Sequence, residues 1–197
     1  MVACGNGNNN GGNNNTGGTI DAGTGTGNAQ ADTQSTVAAV QTNTQIGVTQ
    51  AIAASGSALK FVAISQTGAC SGGGTFAYSG SVTPGSPSAS YDLDFDFEGC
   101  DKYDGSVSVV GQYAAGTNAF NYDYTVDGDV GGNGCVVNFA DFALGVDLGI
   151  SLPPTGNVQL DGAVTGDCGT AGSATCNYNG VDIDITNGTA TGAPSCS

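Results

Sequence analysis

Carboxylates are the only plentiful ionisable groups in this sequence, so any site chemistry would have to begin with them. The chain carries 17 Asp and Glu residues against two Lys and Arg residues, and it has no His. Within 91–98, apolar and acidic residues alternate without interruption. Side chains on a strand point to alternate faces, so this stretch predicts a strand with one apolar and one acidic face. The two faces are Tyr91, Leu93, Phe95 and Phe97, and Asp92, Asp94, Asp96 and Glu98.

Four carboxylates on one strand face could bind a hard cation, but the expected strand pairing argues against this. With a hairpin closed by 99–105, each acidic strand would neighbour a neutral one, and acids two strands apart would lie roughly 9.6 Å from each other. Like charges would then not face each other directly. The pattern therefore predicts a solvated acidic face. The expected pairs are Glu98–Ser106, Asp96–Ser108, Asp94–Val110, Ser106–Asp127, Ser108–Thr125 and Val110–Asp123.

A second candidate cation site begins at Asp127. Asp127, Asp129 and Gly132 occupy the first, third and sixth places of the calcium-binding loop of EF-hands. We take Asp127, Asp129 and Asn133 as candidate Ca²⁺ ligands. The twelfth place is Asn138, which cannot supply a bidentate carboxylate, and no helices are expected on either side. A hairpin turn that uses Gly at a positive φ is the alternative interpretation.

The composition excludes several classes of function. Without His, the chain can form no Ser-His-Asp or Cys-His arrangement and no ordinary zinc site. A paired-carboxylate hydrolase would need two acids that stand apart from the surface acids, and the sequence marks no such pair. We therefore expect a non-catalytic protein. The formal charge of −15 also argues against DNA or RNA as a partner.

The seven cysteines favour disulfides over metal binding. No tight Cys-x2-Cys pair is present, whereas widely spaced cysteines are typical of proteins from an oxidising compartment. Cys168 and Cys176, which flank a Gly-rich segment, are the expected partners of one disulfide. The six cysteines expected to pair are Cys70, Cys100, Cys135, Cys168, Cys176 and Cys196.

The start of the chain, Val2-Ala3-Cys4-Gly5, resembles the lipobox at the end of a bacterial lipoprotein signal peptide. In that family the cysteine becomes the first mature residue and carries lipid, which would make Cys4 the palmitoylated anchor and explain the odd cysteine count. The resemblance implies an outer-membrane lipoprotein of the bacterial cell envelope, attached to the membrane through its lipid. Residues 5–28 are mostly Gly, Asn and Thr, a composition typical of a flexible spacer. We therefore assign 1–28 to a lipid-attachment site and tether, and 29–197 to one β domain.

The folded part begins with a pattern that favours a helix. From Ala29 to Ala54, Val and Ile recur among many Ala and Gln, without Pro, which predicts one amphipathic helix packed on a sheet. Asp32 or Thr33 is expected to cap its start. The next stretch, 59–64, fits either a strand or a last helical turn.

The rest of the chain reads as short strands separated by turn residues. One flaw interrupts the pattern: within 136–148 the alternation changes phase near Ala140-Asp141, which predicts a β-bulge. The order of elements predicts a mainly β fold, an antiparallel meander of about eight strands that forms a curved sheet or partial barrel under the N-terminal helix. A β-sandwich is the alternative.

Three functions remain open at this point. The first is a binding or structural surface module for a protein or glycan partner. The second is a carrier of an apolar ligand in a half-barrel cavity. The residues expected to line that cavity are Phe95, Phe97, Tyr122, Tyr124, Phe139 and Phe142. The third is a self-assembling or adhesive surface protein that uses exposed strand edges.

Overall fold

The chain folds as one helix followed by a ten-stranded sheet. The computed structural model describes residues 20, 22–55, 62–83, 85, 88–100, 102–115, 119–149, 155–184, 186 and 189–197. The predicted class is confirmed, and the sheet has ten strands rather than about eight. The elements are α1 (Ala29–Ser55), β1 (Val62–Ala69), β2 (Thr75–Thr83), β3 (Ser88–Cys100), β4 (Tyr103–Ala115), β5 (Ala119–Gly132), β6 (Cys135–Gly149), β7 (Thr155–Asp167), a 3-10 turn (Gly169–Ala171), β8 (Ser173–Asp184), β9 (Thr189–Thr191) and β10 (Ser195–Cys196).

The sheet is an open antiparallel meander. Each strand from β1 to β8 pairs with the next in the chain, and β9 and β10 both pair with β8. Among the described strands β1 pairs only with β2, so the curved sheet does not close. The undecided stretch 59–64 contributes the start of β1 from Val62 onward, and 59–61 lie outside the described residues.

One helix, α1, packs across the apolar face of this sheet and contacts β1, β2 and β5 to β8. Its start is capped by Asn28 rather than by Asp32 or Thr33, because Asn28 Oδ1 accepts the N–H of Ala31 at 3.2 Å. The buried stripe recurs every three or four residues, as expected for a helix on a sheet. Its members are unusually small and polar: Asp32, Thr33, Thr36, Val37, Val40, Asn43, Thr44, Gly47, Val48 and Ala51.

Residues ahead of the helix also contact the domain. The N–H of Gly134 donates to Ala22 O in the turn between β5 and β6. Both the N–H and the hydroxyl of Thr26 donate to the carboxylate of Asp32. The contacts with the sheet therefore begin before the boundary expected at Ala29, while 1–19, including Cys4, lie outside the described residues.

The predicted bulge at Ala140-Asp141 is confirmed. The β6–β7 register shifts between Phe139 and Ala143, and Asp141 has a φ of 51°. The bulged N–H of Asp141 donates to the carboxylate of Asp127 on β5 at 2.7 Å. A bulge bends its strand and increases the local twist, so this feature helps to curve the sheet.

Three disulfides fasten the end of the sheet that holds the β1–β2, β3–β4, β5–β6 and β7–β8 turns. All six expected cysteines are paired, as Cys70–Cys100, Cys135–Cys168 and Cys176–Cys196. The expected Cys168–Cys176 bond is wrong. Cys176 lies opposite Val164 on β7, and Cys168 is four residues further along, roughly 13 Å at strand spacing. Two Cα atoms more than about 7 Å apart cannot be bridged without moving the backbone.

Candidate functional site

The face of the sheet opposite the helix, which we call the polar face, carries the acidic residues. As predicted, Asp92, Asp94, Asp96 and Glu98 are exposed while the residues between them are buried. The predicted pairing is wrong by two residues in both hairpins. In the first hairpin the shift arises because the β3–β4 turn is tighter than expected and Cys100 pairs with Tyr103. The separation of acids by a neutral strand is nevertheless confirmed. The observed rows are Asp96–Ser106–Asp129, Asp94–Ser108–Asp127 and Asp92–Val110–Thr125.

Many of these carboxylates hold the backbone of a neighbouring strand or turn. Asp127 accepts the N–H of Asp141 in the β6 bulge, and Asp161 accepts the N–H of Gly180 at 2.8 Å beside a second register shift between β7 and β8. Asp104 accepts the N–H of Gly99 at the β3–β4 turn. Such charge-assisted bonds satisfy N–H groups that the strand ladder leaves unpaired.

The structure does not gather the candidate calcium ligands into one loop. Asp127 and Asp129 lie within β5, whereas Asn133 lies in the two-residue turn that follows it, with a φ of 50°. Each has its own partner: Asp129 accepts from Asn138 at 2.8 Å, and Asn133 donates to the hydroxyl of Tyr103 at 2.8 Å. Within the described residues, no three His, Cys, Asp or Glu side chains are grouped as a metal site.

A depression of about 760 Å³ crosses the polar face from β2 to β7. We call it the trough, and two adjacent rows of outward-pointing residues line it. The first row is Ser81, Asp92, Val110, Thr125, Ala143 and Asp161. The second row is Thr83, Ser90, Gln112, Asp123, Gly145 and Gln159.

The floor of the trough is low because several of its residues are small. Ala143 and Gly145 on β6 give it no long side chain, and Val110 leaves an apolar patch that is 51 % exposed. The register shifts of β5–β6, β6–β7 and β7–β8 all fall directly beside the first row, next to Thr125, Ala143 and Asp161. Bulges are common next to binding sites because they bend the sheet at that point. The trough is thus a consequence of both small residues and local bending.

Two buried tyrosines lie on the apolar face beneath the trough. Gly111 sits between Tyr91 and Tyr124 in the row, and a Cβ at Gly111 would lie 2.5 Å from the Cβ of Tyr124. Burial raises the pKa of Tyr124 to about 12. The side chain of Thr44 on α1 interacts with the Tyr124 hydroxyl and lowers this pKa by a smaller amount. Burial also raises the pKa of Tyr91, with smaller contributions from Tyr124, Tyr122 and Asp123.

The aromatic residues expected to line an apolar cavity are packed together under α1. Phe95 lies 5.8 Å from Phe76 and 6.3 Å from Phe97 between ring centroids. Phe142 lies 5.9 Å from Phe139 on the same face. A Cβ on Gly47 of the helix would lie 2.2 Å from the ring of Phe95. These side chains form the core of the domain.

The trough is the feature that sequence reasoning missed. Apart from Asp92, Asp123 and Asp161, the residues that make it are small or neutral, and only their pairing across β2 to β7 brings them together. The available signal was a Gly inside an otherwise alternating strand, since such a residue often marks close approach by another group.

Comparisons with known proteins place the chain in no family. The scan with protein-family models, the search of curated proteins and the search of solved structures each found no match. In the part of the chain that the structure describes, no helix combines the length and apolar character needed to span a bilayer.

Proposed function

We propose that this chain is a lipid-anchored, non-catalytic binding module of the bacterial cell envelope, and that the trough is its binding surface. The position of the trough carries the proposal. The helix and the core occupy one face of the sheet, whereas the trough lies open on the other face. A concave surface with a few polar groups around an apolar floor is the usual form of a binding site.

The cysteines support an extracytoplasmic location. Three disulfides within one small domain are typical of oxidising compartments. They account for six of the seven cysteines and leave Cys4 for the lipid that the lipobox resemblance implies. Two or more acyl chains are needed for stable anchoring, and the tether would then hold the domain away from the bilayer.

The trough carboxylates are spread over several strands, which suits contacts to separate groups of one ligand. Asp92 and Asp123 lie two strands and one row apart, which separates their Cα atoms by roughly 12 Å. The third carboxylate, Asp161, accepts the N–H of Gly180.

The test of the anchor uses the protein expressed with its own leader in its bacterial host. We expect Cys4→Ser to move the protein from the membrane fraction to the soluble fraction, and mass spectrometry to find lipid on the Cys4 peptide of the unchanged protein. Asn6→Ser, which leaves Cys4 in place, serves as the control and should stay with the membrane. A Cys4 thiol recovered without lipid would contradict the proposal.

Self-assembly is a second candidate function, and the β1 edge is the observation that favours it. β1 (Val62–Ala69) contains no charge and no Pro, and such edges are templates for pairing with another chain. The opposite edge is partly covered by β9 and β10. Light scattering of the Cys4→Ser protein at increasing concentration tests for self-assembly. A protein that stays monomeric over the whole concentration range would exclude this function.

A further inference from the structure

Gly145 is the residue of the trough that the fold itself does not explain. Among the glycines whose surroundings the structure describes, the others either have a positive φ or would place a Cβ within 3.0 Å of a neighbouring atom. Gly145 has neither property. A Cβ there would lie 3.4 Å from Asp123 Oδ1 and 3.8 Å from Gln159 Cβ, which are ordinary contacts.

A glycine at this position therefore lowers the stability of the fold, although neither its backbone conformation nor its packing requires a glycine. Gly inside a strand is less stable than Ala because it loses more conformational freedom on folding, and a β-branched residue suits a strand better still. Gly145 lies in β6, which is paired on both sides. What the glycine does provide is depth in the second row, between Asp123 and Gln159.

We infer that the trough seats an extended peptide segment carrying Lys or Arg, with Gly145 as the point of closest approach. This inference rests on the proposed function, in which the trough is the binding surface. Charge complementarity selects the ligand: three carboxylates and no basic residue line the trough. The structure records no hydrogen bond to the carboxylates of Asp92 and Asp123 within its described residues, so both remain available to a cation.

The dimensions of the trough suit a short peptide. Within the first row, Asp92 on β3 and Asp161 on β7 lie four strand spacings or roughly 19 Å apart. An extended chain of about five to six residues has that length. Between the two acids, Val110 and Ala143 offer an apolar floor for the methylene stem of a Lys or Arg side chain. The basic head groups would then reach the carboxylates, while the peptide backbone passes over Gly145.

Other ligand classes fit the lining less well. Anionic polymers would face a protein of charge −15 and a trough without a base. Glycan sites usually present an exposed aromatic ring to the sugar, whereas Tyr91 and Tyr124, the aromatic residues at the trough, are 2 % and 4 % exposed.

The experiment measures binding of pentalysine to the anchor-free Cys4→Ser protein by calorimetry and by amide chemical-shift mapping at about 150 mM salt, which screens long-range attraction. We expect saturable binding with shift changes concentrated on residues of the trough. Asp92→Asn should weaken binding about fivefold. Asp96→Asn removes the same charge from the same face of β3 outside the trough and should change binding less than twofold.

A substitution at Gly145 tests the inference independently of the charges. Gly145→Thr fills the floor and should weaken pentalysine binding about tenfold, or about 1.4 kcal/mol, while leaving the thermal midpoint unchanged or higher. Ala163→Thr, which adds a similar side chain to an exposed position of β7 outside the trough, should affect neither.

Three results would overturn the inference. Equal losses in Asp92→Asn and Asp96→Asn would indicate diffuse charge attraction. Binding of chitopentaose but not of pentalysine would assign the trough to a neutral glycan, which retains the proposed function. Absence of pentalysine binding would exclude the ligand class, whereas failure of the proposed function itself would show separately as a Cys4 without lipid.

Discussion

At the scale of single residues, the acids of the polar face divide into two groups with different roles. One group is bound to the backbone: Asp104, Asp127 and Asp161 each accept an N–H at a turn or bulge. The other group, which includes Asp92 and Asp123, has no recorded bond of this kind in the described part. A run of acids can thus serve both to fix irregular backbone and to leave charge available for a partner.

The tyrosines of the core also differ in how their hydroxyl groups are satisfied. Tyr78 donates to Gln66 Oε1 at 2.8 Å. The hydroxyl of Tyr91 is buried and has no hydrogen-bond partner among the described residues. Leaving a buried hydroxyl without a partner costs roughly 1–3 kcal/mol. Tyr78 and Tyr91 are 1 % and 2 % exposed, so they are equally buried and differ in whether the hydroxyl has a hydrogen-bond partner.

We expect Tyr91→Phe to raise the free energy of unfolding by about 1 kcal/mol, because it removes an unsatisfied polar group and keeps the ring. Tyr78→Phe should lower it by about 1 kcal/mol, because it removes a hydrogen bond that is made. Urea denaturation at pH 7 measures both values. A Tyr91→Phe protein that loses as much stability as Tyr78→Phe would mean that the Tyr91 hydroxyl has a partner.

At the scale of elements, α1 joins the sheet through small and polar side chains rather than through large apolar ones. The hydroxyls of Thr36 and Thr44 donate to the carbonyls of Asp32 and Val40, four residues earlier. Their polar atoms are therefore satisfied within the helix, and their methyl groups can face the sheet. Gly47 then lets the helix backbone approach the rings of Phe76 and Phe95.

Gly47→Ala tests this close approach. Helix propensity alone would make the substitution stabilising by about 1 kcal/mol. A Cβ would lie 2.2 Å from Phe95 Cε1, however, and overpacking a core costs about 1–3 kcal/mol. We expect a net loss of about 1–2 kcal/mol in the free energy of unfolding.

The control for that experiment is Thr49→Ala on the exposed side of the same helix. It should change the free energy of unfolding by less than about 0.5 kcal/mol. A stabilised Gly47→Ala protein would show that the helix does not depend on contact at this point.

Periodicity predicted most elements but not their register. The helix from Ala29 and the bulge at Ala140-Asp141 follow from local pattern, which a chain carries in its own side chains. The pairing of β3 with β4 depends on turn geometry, and the tight turn at Cys100 and Tyr103 moved it by two residues. The short strands β9 and β10 lack an apolar pattern, so their pairing with β8 was not predicted.

At the scale of the whole molecule, the features that were not predicted are those that depend on distant parts of the chain. Cys176 pairs with Cys196, which the C-terminal β10 brings beside β8. Proximity in sequence favoured Cys168 as the disulfide partner of Cys176. The antiparallel pairing of β7 with β8, however, places Cys168 too far from Cys176 to form a bond. The trough follows the same rule, because its rows take one residue from each of six strands.

The molecule as a whole should lose stability in alkaline solution because its core contains many tyrosines. Burial raises the pKa of Tyr124 and of Tyr178 to about 12, and it raises those of Tyr78, Tyr91 and Tyr113 as well. In the unfolded chain a tyrosine has a pKa of about 10. Above pH 10 the tyrosines ionise more readily in the unfolded chain than in the folded protein, which favours unfolding. The stability that these buried tyrosines contribute is therefore fully present below pH 10 and is lost as the pH rises toward 12.

Urea denaturation between pH 8 and pH 11 measures this loss, with Cys4→Ser used throughout to avoid thiolate attack on the disulfides. We expect a constant free energy of unfolding up to about pH 9 and a steepening fall above it. Tyr124, which is 4 % exposed, would account for a loss on the order of 2–3 kcal/mol by pH 12. Tyr124→Phe should therefore show a shallower fall. Constant stability to pH 11 would mean that the buried tyrosines ionise as readily in the folded protein as in the unfolded chain.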